Sequence, residues 1–118
     1  MIDADKYYIK SYTEEDHNKY IEFCNRVWMP PSMKRSDNWF RWFMYENPEC
    51  NSRGKPLLLA YYENTIVGML LLTPTRLFSY GKEYNVAWGR DLYVDPNHRR
   101  SKIGVMIVKT WSDLFDMA

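Results

Sequence analysis

Leu92-Tyr93-Val94-Asp95-Pro96-Asn97-His98-Arg99-Arg100-Ser101-Lys102-Ile103-Gly104 is the stretch whose reading decides the fold. It reads as the end of a β-strand, a turn marked by Pro96, a basic loop and the first residues of an apolar helix. A loop of that kind presents backbone N–H groups at a helix N-terminus, where no intrahelical acceptor is available to them. Those groups, the helix dipole and the cations of Arg99, Arg100 and Lys102 together suit a phosphate. The competing reading is a solvated basic turn that only caps a helix.

Working outward, the helix after the loop carries Ile103, Ile107, Trp111, Leu114 and Phe115 on one stripe. Before the loop, residues 84–94 read as a long strand. Residues 56–62 form a continuous apolar run suited to a central strand. Residues 65–73 make the next strand, which continues past Pro74 through 76–80. Glu63-Asn64 and Gly81-Lys82 are the expected turns, and Gly68 marks a bulge or a close backbone approach. Near the N-terminus, 7–12 is a first strand. Thr13 and Asp16 are spaced as a capping box for a helix with Tyr20, Ile21, Cys24, Val27 and Trp28 on its apolar face. Pro30-Pro31 end that helix. A second helix spans 36–46, apolar nearly all round, and Asn47-Pro48 stops it ahead of a polar loop at 49–55. The order predicts one α+β domain over 1–118, with a mixed, mainly antiparallel sheet and flanking helices.

Composition narrows the function. The chain has 118 residues, enough for one hydrophobic core, and 46% of them are hydrophobic. A net charge of +1 argues against nucleic acid as the partner. No apolar run approaches the roughly 20 residues that cross a bilayer, and the first ten residues do not resemble a secretory signal. Cys24 and Cys50 lack metal-ligand spacing. A cytoplasmic location without membrane contact is expected. His17 and His98 are isolated, and exposure is expected for both.

The element order and the loop resemble the first half of the GNAT superfamily of acetyl-CoA-dependent N-acyltransferases. That family's loop runs Arg or Gln, two residues, Gly, one residue, then Gly or Ala. Here Arg99 and Gly104 stand at its ends, and Lys102 takes the place of the first Gly. The Trp-rich helix Trp39-Phe40-Arg41-Trp42-Phe43-Met44-Tyr45-Glu46-Asn47-Pro48 is similar to a subgroup associated with polysaccharide and cell-surface sugar biosynthesis. The strand Ile66-Val67-Gly68 and the turn Tyr80-Gly81-Lys82-Glu83 fit the same pattern.

The resemblance implies acetyl-CoA as cofactor. Its diphosphate would lie on Arg99, Arg100, Ser101, Lys102, Ile103 and Gly104, and its pantetheine arm along the backbone of Leu92, Tyr93 and Val94. It implies acetyl transfer to a small-molecule amine, such as an amino sugar, held near Trp28, Met33, Trp39 and Trp42. Core packing is the other reading of those side chains. Relatives carry Glu near position 88, where this chain has Trp88. Asp91 is the nearest carboxylate on the strand, as general base or as a salt bridge to Arg90 or Arg76. The family's next strand and its acid Tyr would come later than Ala118, so the fold reads as truncated after the helix that follows the loop. The 118 residues alone are expected to transfer little acetyl. The alternative function is a non-catalytic GNAT-like interaction module. Either way, the apolar outer edge of 84–94 is expected to pair with another strand, as in a homodimer.

Overall fold

Four antiparallel strands form the sheet in the computed structural model, which describes residues 4–28, 37–46 and 56–115. They are β1 (Tyr7–Ser11), β2 (Leu57–Tyr62), β3 (Thr65–Ser79) and β4 (Lys82–Val94), side by side in sequence order. The class is the expected α+β. The sheet is antiparallel throughout the described residues rather than mixed, because a parallel pair needs a crossover. The helix that would make one follows the last described strand.

Helices cover both faces. α1 (His17–Phe23) and α2 (Asp37–Arg41) lie on one side, each widening into a π turn, Cys24–Trp28 and Trp42–Glu46 respectively. Their core joins Tyr20, Phe23, Phe43 and Met44 to Leu57, Leu59, Met69 and Leu71. α3 (Ile103–Leu114) covers the other side, with Ile103 and Ile107 packed on Leu58, Ala60, Val67, Leu70 and Leu72. Cover on both faces is why β2 reads as an unbroken apolar run. Trp111, Leu114 and Phe115 pack partly buried at the border of this second core, as their stripe predicts.

The capping box is present. The Thr13 N–H donates to Asp16 Oδ2 at 2.8 Å, and a 3₁₀ turn, Glu14–Asp16, leads into α1. The buried stripe of α1 differs from the expected one. Phe23 is fully buried, whereas Ile21 is 41% exposed. From Tyr20 the same face continues at i+3 and i+4, which are Phe23 and Cys24, while Ile21 lies about 100° round the helix. Cys24 is a buried thiol outside any disulfide. α2 with its π turn also departs from an all-round apolar helix, since Trp42 and Tyr45 are exposed opposite Phe43 and Met44. The expected features at Pro30-Pro31, Asn47-Pro48, 49–55 and Cys50 lie outside the described residues.

Both hairpin turns use left-handed residues. Glu63 has φ 55°, and Tyr80 and Gly81 have φ 51° and 75°, so the second turn sits at 80–81, one residue before the expected place. Two bulges set the register. Val67 is the extra residue where the pairing passes from Ala60 with Gly68 to Tyr61 with Ile66. On β4, Asp91 and Leu92 lie between the pairs Met69 with Tyr93 and Leu71 with Arg90, opposite Leu70 alone. Gly68 is also a close approach. A Cβ there would lie 3.1 Å from Ile107 Cδ1 and 3.4 Å from the Tyr93 carbonyl oxygen. The missing side chain lets α3 settle against the sheet beside the end of β4. Among the described residues no helix is long and apolar enough to cross a membrane.

Candidate phosphate-binding corner

The end of β4 is tied down before the loop begins. The Asp95 N–H donates to the Val67 carbonyl at 2.8 Å, and Asp95 Oδ1 accepts from the Asn97 N–H at 3.0 Å. Pro96 then opens a 3₁₀ turn, Pro96–Ser101. Lys102, at φ 68° in the left-handed region, joins that turn to α3. The first i to i−4 bond of α3 runs from the Met106 N–H to the Lys102 carbonyl at 3.1 Å. The amides of Ile103, Gly104 and Val105 precede it and form the positive end of the helix dipole. A Cβ added at Gly104 would find nothing nearer than Val94 Cγ2 at 3.9 Å, so the corner between β4 and α3 has room.

The left-handed hinge at 102 is a position that favours glycine, the residue the resemblance expects there. A left-handed residue other than Gly carries a cost of about 1 kcal/mol. Lys102→Gly is expected to raise stability by up to that amount, partly offset by the greater freedom of glycine in the unfolded chain. Urea midpoints test this, and a variant less stable than the parent would contradict it.

The predicted cofactor residues do gather at this corner, each in a different way. Arg99 Nε donates to the Val94 carbonyl at 3.0 Å, and its guanidinium lies 5.1 Å from the centre of the Tyr93 ring. It therefore folds back over the strand end. Arg100 and Lys102 are exposed. The Ser101 hydroxyl donates to the His98 carbonyl inside the turn. Ile103 is fully buried and belongs to the core under α3, whereas Gly104 is partly buried and Val105 is exposed. Leu92 is half-exposed, while Tyr93 and Val94 are partly buried. The outer edge of β4 has no neighbouring strand among the described residues.

Asp91 occupies the β4 bulge at φ 55°, with Oδ2 3.6 Å from Arg90 Nε. It is partly buried, and the ion pair to Arg90 is the arrangement present. Trp88 lies on the same sheet face as Arg90 by register and is 71% exposed. Of the expected acceptor residues, Trp39 stacks on Phe43 with ring centres 4.8 Å apart and packs against the core. Met33 and the side chain of Trp28 lie outside the described residues.

Neither histidine is as exposed as expected; both are partly buried against a tyrosine. His98 Nδ1 is 2.7 Å from the Tyr7 hydroxyl and its ring meets Tyr7 edge-on. His17 Nδ1 is 2.9 Å from the Tyr12 hydroxyl. A separate open pocket of about 410 Å³ lies there, lined by Tyr12, Glu14, His17, Phe40, Arg41 and Tyr45. Burial, joined by the neighbouring Tyr45 hydroxyl, pushes the Tyr12 phenol well above its usual range. Among the described residues no group of three or more His, Cys, Asp or Glu side chains could hold a metal.

Two residues at the corner escaped the reading of the sequence. Asp95 is 3% exposed, and its Oδ2 accepts from Arg26 Nη1 at 2.6 Å. Burial alone would push its carboxyl up, but the Asn97 N–H and Arg26 hold it below the usual carboxylate range. An Asp before Pro at a strand end was a legible capping signal. Arg26, 69 residues away, had none.

The model of the acetyltransferase (GNAT) family matches residues 8–114. No curated protein matches the chain. Among solved structures, an aminoglycoside acetyltransferase from an uncultured soil metagenomic sample, in complex with trehalose, is 24% identical with a TM-score of 0.67, over 96% of this chain and 71% of that one. Arabidopsis thaliana Naa50, in complex with the bisubstrate analogue CoA-Ac-MVNAL, is 15% identical with a TM-score of 0.64, over 92% of this chain and 63% of that one. A transcriptional regulator from Bacillus halodurans is 20% identical with a TM-score of 0.66, over 91% and 72%. At these identities the likeness is one of fold.

Proposed function

The chain belongs to the GNAT acetyltransferase family, and on that premise we propose that its β4–α3 corner binds acetyl-CoA for transfer of the acetyl group to an amine. The observation that carries this is the left-handed hinge at Lys102 delivering the first amides of α3 into an open corner beside Gly104. Backbone N–H groups there meet diphosphate oxygens, and Arg100 and Lys102 add charge. The outer edge of β4 at 92–94 offers strand-type hydrogen bonds to the pantetheine amides. Arg99 exchanges the Val94 carbonyl for a phosphate oxygen as the ligand enters.

Asp91 is the proposed base. It would take one proton from the acceptor ammonium, directly or through water; the free amine would attack the thioester carbonyl, the C–S bond would break, and CoA would leave as its thiol carrying the amine's second proton. An amino sugar is the acceptor class we favour, in keeping with the solved aminoglycoside acetyltransferase that shares the fold. Trp39 stacks one ring face on Phe43, and Trp42 and Trp88 are more exposed indoles that also suit such a ligand. The buried thiol of Cys24 suits a reducing, cytoplasmic setting.

Calorimetric titration with CoA tests the cofactor. Replacing Arg99 and Arg100 together with Ala is expected to weaken binding at least tenfold, about 1.4 kcal/mol. Unchanged affinity in the double variant would remove the site from this corner.

A second reading, an interaction module, draws on the outer edge of β4. β3 and β4 outrun the rest of the sheet, and Leu77, Phe78 and Trp88 are exposed on that ribbon. We expect self-association through it. Light scattering over a concentration series should show a dimer or larger species. A strict monomer at high micromolar concentration would exclude it.

A further inference from the structure

We infer that Arg26, in the π turn that follows α1, is a positioning residue for the phosphate-binding loop and acts through Asp95. The inference rests on the reading of the β4–α3 corner as the phosphate site. Arg26 uses its donors in three directions. Nη1 reaches Asp95 Oδ2 at 2.6 Å, Nη2 the Ile66 carbonyl at 3.0 Å, and Nε reaches Glu22 Oε1 at 2.6 Å. One planar guanidinium thus ties α1 to β3 beside its bulge and to the residue that starts the loop.

Asp95 passes that anchor on. Its carboxylate takes the Asn97 N–H, its carbonyl takes the His98 N–H at 2.8 Å, and its own N–H is held by Val67. The loop backbone is therefore oriented from the α1 face of the sheet. From the α3 face, Tyr7 holds His98 through the 2.7 Å hydrogen bond. With both anchors in place the amides of 104 and 105 are aimed before any ligand arrives, so binding does not have to order them. The same guanidinium makes the end of α1 and the loop one mechanical unit.

The test uses the 118-residue chain, with amide exchange read without ligand and CoA titrated separately. Arg26→Gln should speed exchange of the amides of 97–104 at least tenfold over the parent, and by more than it speeds the β2 amides. It should also weaken CoA at least tenfold. Arg26→Lys, which keeps the pair with Asp95, should recover CoA binding to within about threefold. In an Asp95→Asn background, Arg26→Gln should add little further loss, because the two act in series. Met44→Ala, a core variant away from the loop, should lose stability yet keep the parent affinity. Parent-like exchange at 97–104 in Arg26→Gln would overturn the inference, as would an equal loss of CoA binding in Met44→Ala. If the parent itself fails to bind CoA, the cofactor reading fails, and the exchange at 97–104 still decides whether Arg26 holds the loop.

Discussion

Gly104→Leu is expected to weaken CoA binding about 100-fold, or about 2.7 kcal/mol, without lowering the stability of the chain. The two effects have opposite origins. The protein leaves space at this position, the nearest atom to an added Cβ being Val94 Cγ2 at 3.9 Å. Leucine also suits the first turn of α3 better than glycine, by up to about 0.8 kcal/mol in a helix interior. Room for a Cβ and the better helix propensity both favour the folded variant. A ligand phosphate has to reach the amides at the start of α3, and a branched side chain standing over Gly104 keeps it away from them. Calorimetry with CoA and a thermal melt on the same sample check both halves. A leucine variant that binds as tightly as the parent would place the phosphate elsewhere. One that unfolds early would mean that the corner is already filled by the protein.

Asp16→Ala is expected to cost about 3 kcal/mol of stability, lowering the melting temperature by roughly 10 °C. Asp16 is 4% exposed and joins three elements. Its Oδ1 accepts from the Tyr61 hydroxyl on β2 at 2.5 Å. Its Oδ2 accepts from Thr13 N–H at 2.8 Å and from Lys10 Nζ on β1 at 2.8 Å. Alanine leaves a buried phenol and an ammonium without their acceptor and removes the reciprocal arm of the capping box. Burial favours the neutral acid, but the hydrogen bonds from Lys10, Tyr61 and Thr13 outweigh it and bring the carboxyl down to about 2. A depressed folded value gives stability that is complete above the unfolded value of about 3.9 and is lost as pH falls through about 2. The parent should thus lose about 2 to 3 kcal/mol between pH 5 and pH 2 from this group, and Asp16→Asn should flatten that part of the profile. Urea midpoints across the acid range measure it. A cost below about 1 kcal/mol for Asp16→Ala would show that the network contributes little.

What the amino-acid sequence determined by itself is local. The apolar run that became β2, the stripe of Ile103 and Ile107 on α3, the Thr13–Asp16 box and the basic loop between Pro96 and Gly104 are written within a few neighbouring residues. Backbone periodicity and capping chemistry act over that range, so these elements and their order were legible. The phase of α1 was less so, because Ile21 and Phe23 are equally apolar and only the position of the sheet selects Phe23. The tertiary structure alone decided the bulge that turns Asp91, since it depends on register against β3. It alone brought Arg26 to Asp95 across 69 residues and Tyr7 to His98 across 91. Contacts of that separation leave no periodic trace in the chain. They exist because the sheet brings the end of β4 within reach of the π turn after α1 on one face and of the Tyr7 side chain on the α3 face, and polar groups held that close pair with each other.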